Sequence, residues 1–172
     1  KILKEADYIF IEELKKSGII CHFGKWLIEG SPFVILVDFV NYRHMTNDVK
    51  RQLWDLYKID SLRAQQDYDE PLVWAYSAGM LIEKLSACYK EKAIVAHFHE
   101  WLSGAGLLYL KKKNVRIATV FTTHATTLGR TLASSGIDLY NLWDKMNPDE
   151  EAYKYNVEAK HLVEKNSAEF AD

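Results

Sequence analysis

The chain has 172 residues, of which 48% are hydrophobic and 27% are charged, and its formal net charge is −2. These values are typical of one soluble globular domain and exclude a disordered chain. Acidic and basic residues are mixed along the sequence, so we expect no nucleic-acid partner. The longest apolar run, 33–37, is far shorter than the roughly 20 residues that span a bilayer, so we expect no membrane segment. Two cysteines are too few for a disulfide framework, which favours a cytoplasmic location.

The first third of the chain predicts one helix and two strands. Apolar residues at helical spacing predict a helix from Ile2 to Ser17, and Gly18 is expected to cap its C-terminal end. Two short β-prone runs, Ile19–Phe23 and Phe33–Phe39, predict strands because a segment containing Gly and Pro separates them.

Two further helices are predicted next. Thr46 or Asn47 is expected to cap the first of them. After a loop from Asp60 to Tyr68, we expect Asp69 to cap a longer helix that ends near Tyr89.

The region that follows predicts a βαβ unit. Ala93–Phe98 is a short apolar run, Leu102–Lys113 has helical periodicity, and Val115–Phe121 is another β-prone run. Such a unit places its two strands parallel, with a right-handed crossover helix on one face of the sheet.

The last part predicts two more helices. One runs from Ala125 to Ser134. The final helix is expected to begin with Asn147 as its N-cap, since Pro148 then takes the first helical position and Glu150 follows three residues after the cap. Helices interleaved with short apolar strands predict an α/β fold with an open, mostly parallel, Rossmann-like sheet and helices on both faces.

Polar residues follow both strands of the βαβ unit at their carboxyl ends, where open α/β sheets bind ligands. His99 and Glu100 follow the first strand, and Thr123 and His124 follow the second. We expect Glu100 and His124 to face one cleft, where they could hold a sugar by its hydroxyls or transfer a proton. Arg130 and the start of the helix that contains it could balance an anionic leaving group such as a phosphate.

A metal site is an alternative interpretation of the same region. His97 and His99 share one face of the first strand and could reach one ion, as in metal-dependent hydrolases. No Asp-containing motif completes a ligand shell. The pattern therefore favours a His97 that is hydrogen-bonded within the core.

Four stretches of the sequence resemble a known family, in the order in which that family has them. They are "FGKWLIEGSP" from Phe23, "AHFHEWLSG" from Ala96, "FTTHATTLGR" from Phe121 and "DLYNLWDKMNPDEEA" from Asp138. The family is the animal and fungal type of glycogen synthase, and the resemblance extends from about Ser17 to the end of the chain, weakest over 41–67. The sequence departs from the family at Ser31, where Gly is common, and at Thr127, where an aliphatic residue is usual.

This resemblance implies a retaining glucosyltransferase with a GT-B fold. Such an enzyme transfers glucose from a nucleotide sugar, UDP-glucose or ADP-glucose and usually the former, to the non-reducing end of glycogen or another α-1,4-glucan. No metal or other cofactor is expected, and the complete protein is expected to be a homo-oligomer. Residues 1–172 would form a single α/β domain that is part of the N-terminal, acceptor-side domain. A Gly-rich loop and a C-terminal donor domain would lie outside this chain, which alone is expected to be inactive.

The resemblance also implies roles for individual residues. Glu100 matches an acidic residue that lies beside the donor glucose, and His124 matches a histidine that contacts this glucose, so both are predicted to be catalytic. Arg130 matches an arginine near the donor phosphates, and His99 and Thr123 are predicted to join it in binding the donor. The favoured mechanism in the family is a front-face reaction through an oxocarbenium-like state.

Two other functions remain open at this point. The chain could be a non-catalytic module of the same fold that binds a glucan or a partner protein. It could also be a metal hydrolase that uses His97 and His99.

Overall fold

The protein is described by a computed structural model that covers residues 5–64 and 66–172. The helices are α1 (Glu5–Lys16), α2 (Thr46–Tyr57), α3 (Gln66–Cys88), α4 (Glu100–Lys112), α5 (Thr127–Ser134), α6 (Leu139–Leu142), α7 (Pro148–Lys154) and α8 (Glu158–Phe170), with a 3-10 helix at Val40–Met45. The strands are β1 (Ile20–Lys25), β2 (Phe33–Asp38), β3 (Val95–His99) and β4 (Ala118–Thr122). The predicted α/β class is confirmed. The predicted helix start at Ile2 lies outside the described residues.

The described strands form two separate pairs, whereas the sequence predicts one open sheet. Strands β1 and β2 are antiparallel, with Ile20 opposite Asp38, and β3 and β4 are parallel, with His99 opposite Thr122. The connection between β1 and β2, residues 26–32, is too short for the crossover that parallel strands need. The first pair is therefore a hairpin, which the β-prone pattern alone does not reveal.

The βαβ unit is confirmed, because β3, α4 and β4 follow one another and the strands are parallel. Residues of β3 alternate in burial: Ala96 and Phe98 are buried, whereas Val95 is 61% exposed. On β4, Val120 is likewise 40% exposed. Within the described residues the helices thus cover one face of this strand pair, and the outward face lacks the predicted second layer.

Helix α4 lies at the centre of the core, since every residue from Gly104 to Leu110 is buried. Two of its glycines allow neighbouring helices to approach closely. A Cβ atom added at Gly106 would lie 2.6 Å from the carbonyl oxygen of Ala75 on α3, and one added at Gly104 would lie 2.7 Å from Cγ1 of Val163 on α8. These contacts fix α3 and α8 against the helix that follows β3.

Helix α5 belongs to a smaller apolar cluster, separate from the main core. Its Leu128 and Leu132 pack with Ala152 of α7, whereas α4 and α8 contribute to the main cluster. The position of α5 relative to the strands therefore depends on contacts outside the main core.

Two predicted helix starts are wrong by a few residues. Thr46 is the first residue of α2 and its hydroxyl donates to the carbonyl of Arg43 at 2.6 Å, so neither it nor Asn47 is the cap. The preceding 3-10 helix runs directly into α2, which removes the need for a side-chain cap. Helix α3 begins at Gln66, so Asp69 lies inside its first turn, where an acidic residue is favourable.

The predicted start at Asn147 is confirmed, because its side chain accepts a hydrogen bond from the Asp149 amide at 3.1 Å and Pro148 follows as the first helical residue. The expected single helix is instead divided into α7 and α8, and Asn156 between them has a φ of 58°. No helix in the described ranges combines the length and apolarity needed to cross a membrane.

We predict that Gly104→Ala destabilises the protein. The added methyl group would overlap Val163 and the hydroxyl of Ser167, so these side chains or α8 itself must move away from α4. The expected loss in the free energy of unfolding is about 1–3 kcal/mol, measured by urea denaturation. Gly24→Ala is the matched control, because a Cβ there makes only an ordinary 3.8 Å contact with Val34. Equal stability of the two variants would contradict the close α4–α8 contact.

Candidate functional site

Glu100 lies at the junction between β3 and α4. It is the first residue of α4, and its φ of 60° is in the left-handed region that non-glycine residues rarely adopt. The hydroxyl of Ser103 donates to the carbonyl of His99 at 2.6 Å and closes this turn. Backbone strain of this kind persists only where the surrounding structure enforces it, and it occurs often at functional sites.

The carboxylate of Glu100 connects the end of β3 to the loop that follows β4. Its Oε2 accepts a hydrogen bond from the hydroxyl of Thr123 at 3.1 Å, and its Oε1 accepts one from the backbone N–H of His124 at 2.9 Å. These contacts are possible because the parallel register places His99 beside Thr122. The structure thus brings Glu100, Thr123 and His124 together at the carboxyl ends of the two strands.

Three imidazoles form a row at the ends of these two strands. The rings of His99 and His124 are stacked, with centroids 6.0 Å apart and planes 4° apart, and the His97 and His99 centroids are 4.0 Å apart. Nε2 of His97 is 2.8 Å from the hydroxyl of Thr122, so this ring is hydrogen-bonded as expected. The predicted location of His97 in the core is wrong, because its side chain is on the exposed face of β3.

The metal-site alternative requires several ligands around one ion. Among the residues that the structure describes, no group of three or more His, Cys, Asp or Glu side chains is arranged to hold a metal ion. The strand-borne pair of His97 and His99 therefore has no further ligand from the described part of the chain.

The surroundings of Glu100 favour its ionised form. The backbone N–H of His124 lowers the pKa of Glu100 most, and the Thr123 hydroxyl and the positive charge of Arg130 lower this pKa further, against a smaller upward effect of burial. Glu100 is consequently a carboxylate at neutral pH. It can stabilise positive charge but holds no proton to donate.

The start of α5 is already occupied by oxygen atoms of the protein. The hydroxyl of Thr126 accepts from the N–H of Gly129 at 3.0 Å, and the N–H of Thr127 donates to both carboxylate oxygens of Glu164, at 3.1 and 2.9 Å. The expectation of a phosphate at this helix end is therefore corrected. Arg130, exposed in the first turn, remains available for an anion.

Glu164 is a site residue that the sequence analysis missed. It lies on α8 and is only 4% exposed, and its carboxylate also accepts a hydrogen bond from the Thr127 hydroxyl at 3.2 Å, which an aliphatic residue at 127 could not donate. One sequence signal was available: Glu164 directly follows Val163 on the buried side of an amphipathic helix, where an acidic residue is unusual. Its partner, 37 positions earlier, could not be found from helical spacing.

The chain is similar in sequence to a known protein family and to several of its members. The family model described as glycogen synthase matches residues 4–172. The chain is 41% identical over 155 residues to the glycogen [starch] synthase of Dictyostelium discoideum, covering 90% of this chain and 17% of that protein. It is 35% identical to glycogen [starch] synthase isoform 2 of Saccharomyces cerevisiae and 34% identical to the liver glycogen [starch] synthase of Homo sapiens, in each case covering 94% of this chain and 23% of the relative.

The fold and the site define an α/β protein that gathers a carboxylate, imidazoles and a guanidinium group at the carboxyl ends of a parallel strand pair. Ligands bind to α/β proteins at this place. Because the family model covers nearly all of the sequence, the chain belongs to the glycogen synthase family. It spans less than a quarter of the length of the curated relatives named above.

We predict that Glu100→Gln lowers stability in a pH-dependent way. The pKa of Glu100 in the folded state lies below its ordinary value of 4.5, so the ionised group stabilises the fold above this pH. That contribution is lost as the pH falls through the lowered pKa. The variant should be less stable than the parent protein at neutral pH, and thermal unfolding should show the gap closing in acid. A gap that stays constant from neutral to acidic pH would show that the ionised carboxylate does not hold the loop.

Proposed function

We propose that the chain provides the acceptor-side part of the active site of a glycogen synthase-like retaining glucosyltransferase. The complete enzyme moves glucose from a nucleotide sugar to the non-reducing end of an α-1,4-glucan. The observation that carries this proposal is the contact of Glu100 with Thr123 and His124 at the carboxyl ends of β3 and β4. The names of the relatives support it, since each is a glycogen [starch] synthase.

Glu100 acts as a fixed negative charge beside the donor glucose. Positive charge develops on the sugar as the bond to the nucleotide breaks, and a preorganised carboxylate stabilises this state without reorganisation. A carboxylate has about four lone-pair positions, of which the two hydrogen bonds to the loop use two. The remaining positions are left for the sugar. The low pKa of Glu100 favours this electrostatic role over that of a general acid.

His124 and Arg130 supply the polar contacts to the donor. The N–H of His124 is used by Glu100, whereas its exposed imidazole, stacked on His99, is left to bind a glucose hydroxyl. Arg130 provides positive charge for the donor phosphates in place of the start of α5, which Glu164 and Thr126 occupy. Thr123 contributes indirectly, by holding Glu100.

The proposal extends to properties of the complete protein. We propose a GT-B arrangement in which residues 1–172 are part of the acceptor-side domain and a second domain supplies most of the donor site. The fragment alone would then be inactive. Three further properties rest on the family resemblance: UDP-glucose as the donor, the absence of a metal requirement and assembly into a homo-oligomer. The proposed cytoplasmic location rests on the small number of cysteines.

The complete gene product is predicted to incorporate labelled glucose from UDP-glucose into glycogen, with ADP-glucose assayed in parallel. Glu100→Gln and His124→Ala should each lower the rate about 100-fold, because each removes a group that acts on the reacting sugar. His44→Ala is the matched control, since His44 is exposed and its Nδ1 lies 2.9 Å from the carbonyl oxygen of the nearby Asn41. Its rate should equal that of the parent.

Two outcomes would contradict the proposal in different ways. If Glu100→Gln and His124→Ala transfer glucose as fast as the parent, the site is assigned to the wrong residues. If the parent binds glycogen but transfers no glucose from either donor, the chain belongs to a non-catalytic glucan-binding protein.

A further inference from the structure

Glu164 is a buried carboxylate to which the proposed reaction gives no role. Only 4% of its surface is exposed, and both of its oxygens accept hydrogen bonds from Thr127, at distances from 2.9 to 3.2 Å. A buried carboxylate is costly unless charged or polar partners compensate for its lost hydration. Here the compensation comes from the N-terminus of α5, whose positive end favours a negative charge.

The partner of Glu164 occupies a central position in the site. Thr127 is three residues after His124 and three residues before Arg130, and it is the first residue of α5. The loop ahead of it is held at its other end by Glu100, through Thr123 and His124. Two carboxylates from different helices therefore hold the same short segment, one at each end.

Apolar packing does not provide a substitute for this contact. The buried side chains of α5, Leu128 and Leu132, pack in the smaller cluster with Ala152, apart from the main core. Helix α8 is held firmly in the main core, where Val163, the neighbour of Glu164, packs against Gly104 of α4. The carboxylate thus joins the start of α5, which packs outside the main core, to the tightly packed helix α8 through a polar contact.

The charges around the segment are coupled. Burial raises the pKa of Glu164 and the charge of Glu100 raises it further, whereas the Thr127 donors and the charge of Arg130 lower it. Arg130 also lowers the pKa of Glu100. The positive charge of Arg130 thus favours the ionised form of both carboxylates.

We propose that Glu164 is a positioning residue for glucosyl transfer: by fixing Thr127 it sets the geometry of the 123–130 segment, and with it the placement of His124 and Arg130 relative to Glu100. This inference rests on the proposed function. It assigns Glu164 no contact with the substrate, since its carboxylate is enclosed between α5 and α8.

The test uses the complete gene product with Glu164→Gln, which keeps the shape of the side chain and removes its charge. Glu169→Gln is the matched control, because Glu169 is on the same helix and exposed. Glu164→Gln should lower kcat for transfer from UDP-glucose to glycogen about tenfold, with KM for glycogen changed less than about twofold, since small misplacements of reacting groups lower the rate steeply. Hydrogen exchange of the 121–130 peptide should become faster in Glu164→Gln and stay unchanged in Glu169→Gln.

A double variant separates positioning from a general effect on folding. If Glu164 acts through the loop, Glu164→Gln should lower kcat less than about threefold in a protein that already carries His124→Ala, because effects on one unit are not additive. A purely structural role predicts that Glu164→Gln lowers the midpoint of thermal unfolding and leaves kcat per folded molecule unchanged. The loss of thermal stability should then be equal in the parent and in the His124→Ala variant. That result would overturn the proposal.

Two further results are decisive. If Glu164→Gln does not fold, Thr127→Val removes only the hydroxyl donor. It should then lower kcat about twofold and speed exchange of the same peptide, whereas parental values of both would overturn the proposal. If the parent itself transfers no glucose, the proposed function fails and the role of Glu164 in transfer fails with it. Hydrogen exchange alone then decides whether Glu164 holds the loop.

Discussion

The contact between the Glu100 carboxylate and the loop after β4 is the interaction on which the site depends. It joins two segments 23 or 24 residues apart in sequence and gives the residue at the end of β3 a defined partner at the end of β4. It also explains why Glu100 is ionised, since a backbone N–H and a hydroxyl both stabilise the charged form. The backbone of Glu100 is left-handed, and the turn that contains it is closed by the hydrogen bond from the Ser103 hydroxyl to the His99 carbonyl. Strain of this kind needs compensation from the surroundings.

Close helix packing supplies the rigid support for this contact. Gly104 and Gly106 let α8 and α3 approach α4, so the helix that begins at Glu100 is enclosed by its neighbours over most of its length. The parallel register then sets the distance between the two strand ends. A carboxylate held in this way needs little rearrangement when charge develops on a bound sugar, which is the condition under which electrostatic stabilisation is most effective.

Several local features of the fold could be predicted from the sequence, although the starts of α2 and α3 were misplaced, and most features that depend on distant contacts could not. The βαβ unit and the Asn147 cap follow from short-range patterns, and the structure contains both. The sequence analysis did not use the short connection between β1 and β2, which makes this pair a separate hairpin. It also missed the Glu164 contact, which joins residues 37 positions apart. The predicted site residues lie together because polar residues at the ends of adjacent parallel strands must be neighbours, a rule of topology that the sequence already contains.

We propose that the ends of β3 and β4 bind the sugar of the donor. A crystal structure of the complete gene product with a bound nucleotide sugar is the decisive test. We predict that the glucose lies within hydrogen-bond distance of Glu100 and of the His124 imidazole, with the phosphates on the side of Arg130. A bound nucleotide sugar whose glucose contacts neither Glu100 nor His124, with both still exposed to solvent, would show that the sugar binds elsewhere.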